Sequence, residues 1–261
     1  MTDRRTFLKE TIPLSLAALT PLSGIGQILN TKQETKRDKM NRPKVIFFDI
    51  NETLLNLEPL KNSVVNKLGG SKELGNLWFT MMLQYSLVTT VGDQYFDFGK
   101  IGSATLMMVA RNNNINISEE EAKATVKPIL SLHPHPEVKQ GLSILKQAGY
   151  RLVSFSNSSN NAVKQQLDFA GITPFFDSII SVEDYGKYKP HIEVYHWAAR
   201  KMNVDNSDCM LIATHGWDVA GAKWAGWQTA FLARPGQQLF PLAISPDMNE
   251  SNLLKISKKL V

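Results

Sequence analysis

The chain has 261 residues, 43% of them hydrophobic and 20% charged. These proportions exclude intrinsic disorder and a coiled coil, and the length can bury one large core plus a smaller accessory unit. Residues 1–39, with seven Lys/Arg against four acids, supply +3 of the formal charge of +5. The +2 left on the remainder implies no basic face for nucleic acid.

Residues 1–30 have the three parts of an export signal: a charged start, an apolar stretch from Ile12 to Leu29 diluted by Ser, Thr, Pro and Gly, and a polar segment beyond. The run Asp3-Arg4-Arg5-Thr6-Phe7-Leu8-Lys9 resembles the twin-arginine motif, which implies a periplasmic protein with no stable membrane association after export. The absence of an Ala-x-Ala site leaves a membrane anchor as the alternative. Residues 31–42 are almost all polar or charged and read as a linker.

The folded domain is expected to begin at Pro43. Lys44 to Asp49 is a short apolar run ending in an acid, the pattern of a strand buried on both faces of a parallel sheet. Residues 57–130 carry helical spacing, with Leu74, Leu77, Trp78, Met81, Met82 and Tyr85 as its clearest stretch, and predict a helical cap inserted after the first strand. Leu132-His133-Pro134-His135-Pro136 falls where the cap rejoins the core. Two restrained prolines suit a hinge there better than a metal site, since no further Cys or His cluster accompanies the histidines.

Helical patterns over 137–147, 161–170, 192–202 and 219–225 then alternate with strand patterns over 150–156, 176–181, 210–214 and 229–233. That alternation predicts right-handed βαβ units, hence an α/β fold with a Rossmann-like parallel sheet core, formed by residues 43–56 and 131–240, and the helical cap over it. Residues 241–261 are set apart as a C-terminal segment. Cys209, the only cysteine, rules out an internal disulfide and reads as a small buried hydrophobe within a strand.

Ligands of an open parallel sheet bind beyond the carboxyl ends of its strands. That rule brings together Asp49, the Ser156-Asn157 pair and the segment after Thr214. Singly, each has an ordinary explanation as a helix cap or a solvated side chain.

Four segments in this order resemble the motifs of the haloacid dehalogenase superfamily, closest to the type II 2-haloacid dehalogenases. They are Phe47-Phe48-Asp49-Ile50-Asn51-Glu52-Thr53, Ser156-Asn157, Lys187-Tyr188-Lys189-Pro190 and Thr214-His215-Gly216-Trp217-Asp218. The resemblance implies an Asp49 nucleophile that displaces halide from a small 2-haloacid and forms an ester, which water then hydrolyses. It also implies Lys189 as the balancing cation, Thr53, Ser156 and Asn157 as donors to carboxylate oxygens, and Asp218 as the group that holds Lys189 and helps to activate water.

Tyr195 matches a tyrosine of the family site and reads equally as a core aromatic. The superfamily's phosphatases carry a second Asp two residues after the nucleophile. Asn51 stands there and cannot act as a general acid, which disfavours phosphate transfer and the metal it requires. No organic cofactor is implied.

The sequence departs from the family in the cap. Leu77-Trp78-Phe79 aligns with a Leu-Trp-Arg segment that would line the substrate side, so Phe79 stands where a guanidinium receives the substrate carboxylate or the departing halide. His215 is the candidate to compensate, the alternative being a histidine that orders its loop. Arg111, the only arginine in the cap, is expected at the surface. A superfamily hydrolase acting on another substrate, such as a phosphate ester, and a non-catalytic binding protein of the same fold are the competing readings. An apolar face of the cap is a candidate surface for pairing two subunits.

Overall fold

The structure, a computed structural model, describes residues 41–261; the export signal and nearly all of the linker lie outside the described residues. Six strands form one parallel sheet in the order β3-β2-β1-β4-β5-β6: β1 Val45–Phe48, β2 Arg151–Ser156, β3 Ser178–Ser181, β4 Cys209–Ala213, β5 Gln228–Leu232 and β6 Met248–Glu250. Every residue of β1 and β4 is buried, as their unbroken apolar sequences require. β1 lies between β2 and β4, the point from which the strand order runs outward in two directions, so the crevice beyond its carboxyl end is the switch point where ligands bind. Asp49 follows immediately, its N–H continuing the ladder to Ile212 O at 3.1 Å.

Between strands run α5 Val138–Gln147, α6 Asn160–Ala170, α7 Ile192–Lys201 and α8 Gly216–Trp224. The predicted strands and helices all form, with ends shifted by up to three residues. Residues 241–261, however, are part of the core. β6 pairs with β5, and α9 Leu253–Leu260 packs on α5, where a Cβ added to Gly141 would lie 2.7 Å from Leu253 Cγ. Met248-Asn249-Glu250 is a short edge strand with one apolar residue, so it carries no hydrophobic pattern to detect.

The cap comprises α1 Glu58–Lys67, α2 Lys72–Val91, α3 Phe98–Asn112 and α4 Glu119–Val126. Its helices start where sequence dictates: Ser71 and Asp97 accept backbone N–H groups at the starts of α2 and α3, and Ser118 with Glu121 forms a capping box for α4. α2 buries Trp78, Met82, Ser86 and Thr90, one per turn. The buried stripe is thus rotated from the purely apolar one, and Leu77 is exposed.

Trp78 Nε1 donates to Gly102 O at 2.8 Å and pins α2 to α3. Several bonds join cap to core. Asn56 N donates to His133 O and His135 N to Leu54 O, both at 2.9 Å, tying the two chain segments that enter and leave the cap. Tyr188 N donates to Thr90 Oγ1 at 3.0 Å, which fixes the end of α2 to the loop that carries Lys189.

Candidate active site

Asp49 is almost wholly buried, and its two oxygens have different surroundings. Oδ2 accepts Thr53 Oγ1 at 2.7 Å and faces His215 Nδ1 at 3.2 Å, whereas Oδ1 has one contact, Lys189 Nζ at 3.2 Å. Thr53 is held in turn by Thr214 N at 3.0 Å. Burial alone would raise the Asp49 carboxyl's pKa. Lys189, His215 and Thr53 together outweigh it and hold the carboxyl well below the usual carboxylate range. Asp49 is therefore a desolvated but ionised carboxylate, the state a carboxylate nucleophile needs.

Lys189 is fully buried and spans Asp49, Phe155 O at 2.9 Å and Asp218 Oδ2 at 2.6 Å. Burial pulls the ammonium's pKa down, but Asp218 and Asp49 more than reverse that. Asp218 lies in the first turn of α8, which begins at Gly216, three residues earlier than the sequence pattern indicates. Its second oxygen accepts Tyr195 Oη at 2.6 Å. A Cβ at position 221 would fall 2.6 Å from Pro190 Cβ and 2.7 Å from Tyr195 Oη, so the glycine lets the tyrosine and the Lys189-Pro190 loop close on α8. Burial and the neighbouring Asp49 charge push the Asp218 carboxyl up.

Four of the residues implied for the site bond other protein groups in this geometry. Asn157 does not reach Asp49: its Oδ1 accepts Lys189 N at 3.0 Å, so it positions the lysine's backbone. Ser156 Oγ accepts Ser158 N at 3.0 Å, closing the turn after β2 in place of bonding the carboxylate. Tyr195 spends its hydroxyl on Asp218, behind the lysine, so it is a support for the cluster and no direct contact for a substrate. Asp218 has both oxygens accepting from protein groups and no solvent exposure.

Asn51 is likewise tied, Nδ2 to Ser158 Oγ at 3.0 Å and Oδ1 accepting Gln166 Nε2 at 2.8 Å. Lys187 pairs with Asp93 at the surface, Arg111 is exposed, and burial pushes the Cys209 thiol up to about 12. His133 lies against the Phe169 ring, and His135 Nε2 contacts Glu52 O at 3.1 Å.

His215, in contrast, stands beside Asp49. Its ring stacks on Trp217 with centroids 5.2 Å apart, and its Nε2 faces Glu52 Oε2 at 3.1 Å. Glu52 is buried, and its carboxylate also accepts Lys61 Nζ at 2.5 Å and Gln237 Nε2 at 3.0 Å. Burial raises the Glu52 carboxyl's pKa, but His215 and Lys61 hold it down at about 2. The motif spacing marks Asp49 and Thr53 and leaves out Glu52. It also missed Arg234, whose guanidinium donates to Thr53 O at 2.8 Å and pairs with Glu137 at 2.7 Å. Applying the strand-end rule to β5 would have found Arg234.

Two cavities among the described residues are lined by cap and core together. The larger, about 370 Å³, is lined by Trp78, Met82, Phe98 and Ser158 among others, and by none of Asp49, Lys189, Asp218 or His215. The smaller, about 140 Å³, is bounded by Leu83, Ser86, Leu87, Lys189, Pro190 and Trp217. The smaller one adjoins the charged cluster on its Lys189 side. Phe79 is half-buried on α2, one helical turn before Leu83, with its ring edge-on to Trp78 at 6.2 Å.

Residues 43–226 match the family of haloacid dehalogenase-like hydrolases. The chain is 27% identical to haloacetate dehalogenase H-2 of Moraxella sp. (strain B), over 80% of this chain and 93% of that one. To the (S)-2-haloacid dehalogenase of Pseudomonas sp. (strain YL) it is 26% identical, over 82% and 93%. Among solved structures, it superposes with a TM-score of 0.77 at 21% identity on L-2-haloacid dehalogenase from Xanthobacter autotrophicus, a structure with chloropropionic acid covalently bound; 83% of this chain and 97% of that one are covered.

Proposed function

We propose, for a chain that belongs to the haloacid dehalogenase-like hydrolases, that it cleaves the carbon–halogen bond of a small 2-haloacid through an ester on Asp49. Asp49 Oδ1, with a single longer contact to Lys189, attacks the halogen-bearing carbon and expels halide with inversion; water then attacks Cγ and releases the 2-hydroxy acid. The observation that carries this reading is the buried Asp49 held between Lys189 and His215, with Asn51 tied to Ser158 and Gln166 where a phosphatase would need an acid. The 140 Å³ pocket beside Lys189, walled by Leu83, Leu87 and Trp217, suits a short alkyl group.

Incubation with each enantiomer of 2-chloropropionate, followed by halide release and intact mass, tests the assignment. We expect halide from one enantiomer and a transient adduct on Asp49, both abolished in Asp49→Asn. Halide release unaffected by that substitution, or none from either enantiomer, refutes it. Phosphate release from a small ester in place of halide would move the protein to another substrate class, as Phe79 allows.

Export by the twin-arginine route to the periplasm is supported by Arg4-Arg5-Thr6-Phe7-Leu8-Lys9. Fractionation of cells carrying Arg4→Lys/Arg5→Lys checks it, the precursor being expected in the cytoplasm. Pairing of two subunits through the cap is supported by the exposed Leu87, Val88 and Val91 at the end of α2, and sedimentation of Val88→Glu against wild type tests it.

A further inference from the structure

Among the groups around Asp49, Glu52 and His215 have the geometry of a built device. Glu52 adopts a left-handed backbone conformation, φ 64°, which is unfavourable for a residue with a Cβ. From there its carboxylate is directed at His215. The imidazole faces a carboxylate on each side, Asp49 at 3.2 Å through Nδ1 and Glu52 at 3.1 Å through Nε2. A neutral imidazole has one N–H and one lone pair, and a lone pair set against a carboxylate oxygen repels it. Both contacts are attractive only if both nitrogens carry protons.

We propose that Glu52 locks His215 as an imidazolium, and that this cation, together with the Thr53 hydroxyl, forms the oxyanion site for hydrolysis of the Asp49 ester. The proposal rests on the ester chemistry above and assigns its second half. Alkylation at Oδ1 leaves Oδ2 as the ester carbonyl oxygen, already within reach of Thr53 Oγ1 at 2.7 Å and His215 Nδ1 at 3.2 Å. Water adds to Cγ, the carbonyl pair moves onto Oδ2 and returns, and the Cγ–O bond to the 2-hydroxy acid breaks. One water proton leaves on the alcohol and the other goes to solvent, so Asp49 is restored with the water's oxygen. Donors aimed at the oxygen where charge develops are worth more than donors to the resting carbonyl.

Glu52 is needed because of what alkylation removes. In the free enzyme two carboxylates keep His215 charged, and they overcome burial to raise its pKa to about 9. The ester is neutral, so Glu52 becomes the one carboxylate still touching the ring. The other charged groups nearby are Lys189 and Asp218, which neutralise each other, Lys61 on Glu52, and Arg234 paired with Glu137. His135 contacts the Glu52 carbonyl and is pushed down by burial, so it stays neutral. Glu52 is thus a positioning residue that acts through His215.

Glu52→Gln and His215→Leu, followed by halide burst, steady-state turnover and intact mass with 2-chloropropionate, test the proposal. We expect the single-turnover halide burst to survive while steady-state turnover falls about 10²–10³-fold in His215→Leu, which keeps the volume and removes the donor, the loss typical for an oxyanion donor, with the Asp49 adduct accumulating. In Glu52→Gln the alkaline limb of turnover should move to lower pH, and Glu52→Asp should restore part of it. Loss of burst and turnover in equal proportion, or no change in either, overturns the proposal. A substrate-free readout separates it from the choice of substrate. The His215 ring followed by NMR should remain protonated through pH 8 in wild type and titrate lower in Glu52→Gln. A wild-type imidazole titrating near its unperturbed value of about 6.5 overturns the proposal whatever the substrate proves to be.

Discussion

Replacing Lys189 by Met removes the cation between Asp49 and Asp218 while keeping most of the side chain's volume. The ammonium has no solvent exposure and lies 3.2 Å and 2.6 Å from the two carboxylates. At an effective dielectric of ~20 those contacts carry roughly 5 and 6 kcal/mol of attraction. The cost of desolvating the lysine cancels much of this, and removing one member of a buried ionic cluster leaves a net loss of about 3–5 kcal/mol.

That loss should depend on pH with a definite sign. In wild type the Asp49 carboxyl is held below its unfolded value, so its contribution is present above about pH 4 and disappears only as pH falls through the depressed native value. Without Lys189, burial dominates and one of the two carboxylates takes up a proton near neutrality, stabilising the variant as pH falls. The gap in unfolding free energy between wild type and Lys189→Met should therefore be widest at pH 7 and narrower at pH 5, measured by urea unfolding. The halide burst should drop at least about 10²-fold, because the nucleophile is now partly protonated. Equal urea midpoints at pH 7, or a gap that does not shrink at pH 5, would refute the reasoning.

Tyr195→Phe deletes one 2.6 Å bond to the buried Asp218 carboxylate and should cost about 1.5–3 kcal/mol in thermal unfolding; turnover should fall by less than about tenfold with KM unchanged, since the hydroxyl is behind Lys189. Arg234→Ala removes the guanidinium from Thr53 O and strands Glu137. About 2–3 kcal/mol of stability should be lost, and single-turnover measurements should show a slower halide burst as the nucleophile loop loosens. Phe79→Arg introduces a guanidinium one turn from Leu83, at the edge of the small pocket. KM for 2-chloropropionate should fall by roughly tenfold, while a neutral haloalkane should gain nothing; equal effects on both would mean that the new side chain turns to solvent.

The sheet was legible because β1 and β4 are buried on both faces and therefore written as unbroken apolar runs, and β2 keeps that pattern apart from its serines and the exposed Arg151. β6 was not, because an edge strand of three residues needs no such run. In the cap, helical spacing was visible, but the face was misjudged: Ser86 and Thr90 are buried through bonds to their own helix backbone, while Leu77 and Val91 are exposed. Asp49, Thr53, Lys189 and Asp218 were found because they stand at fixed offsets in short motifs and share one function. Ser156, Asn157 and Tyr195 were found as members of the cluster, but their partners depended on loop conformation that spacing does not encode. Glu52 was missed for the opposite reason, since a glutamate in a turn is usually exposed, and the left-handed backbone at that position accompanies its burial.

The missing cap arginine is better understood through the charge of the whole cluster than through a search for one replacement. Asp218, Lys189, Asp49, His215, Glu52 and Lys61 form a file of alternating sign, with successive contacts of 2.6, 3.2, 3.2, 3.1 and 2.5 Å. With His215 protonated the file is neutral. Esterification of Asp49 deletes the central negative charge and leaves Lys189 balanced by Asp218, but His215 and Lys61 balanced by Glu52 alone. The enzyme's side of the intermediate is then positive by one charge, centred beside the new ester, and a 2-haloacid brings one carboxylate with it. The substrate's charge replaces the one its own reaction consumes, so the intermediate is neutral without any guanidinium. An electrophile lacking a carboxylate would leave that positive charge uncompensated in a buried site, a penalty that favours a haloacid over a neutral haloalkane even with Phe79 in the cap.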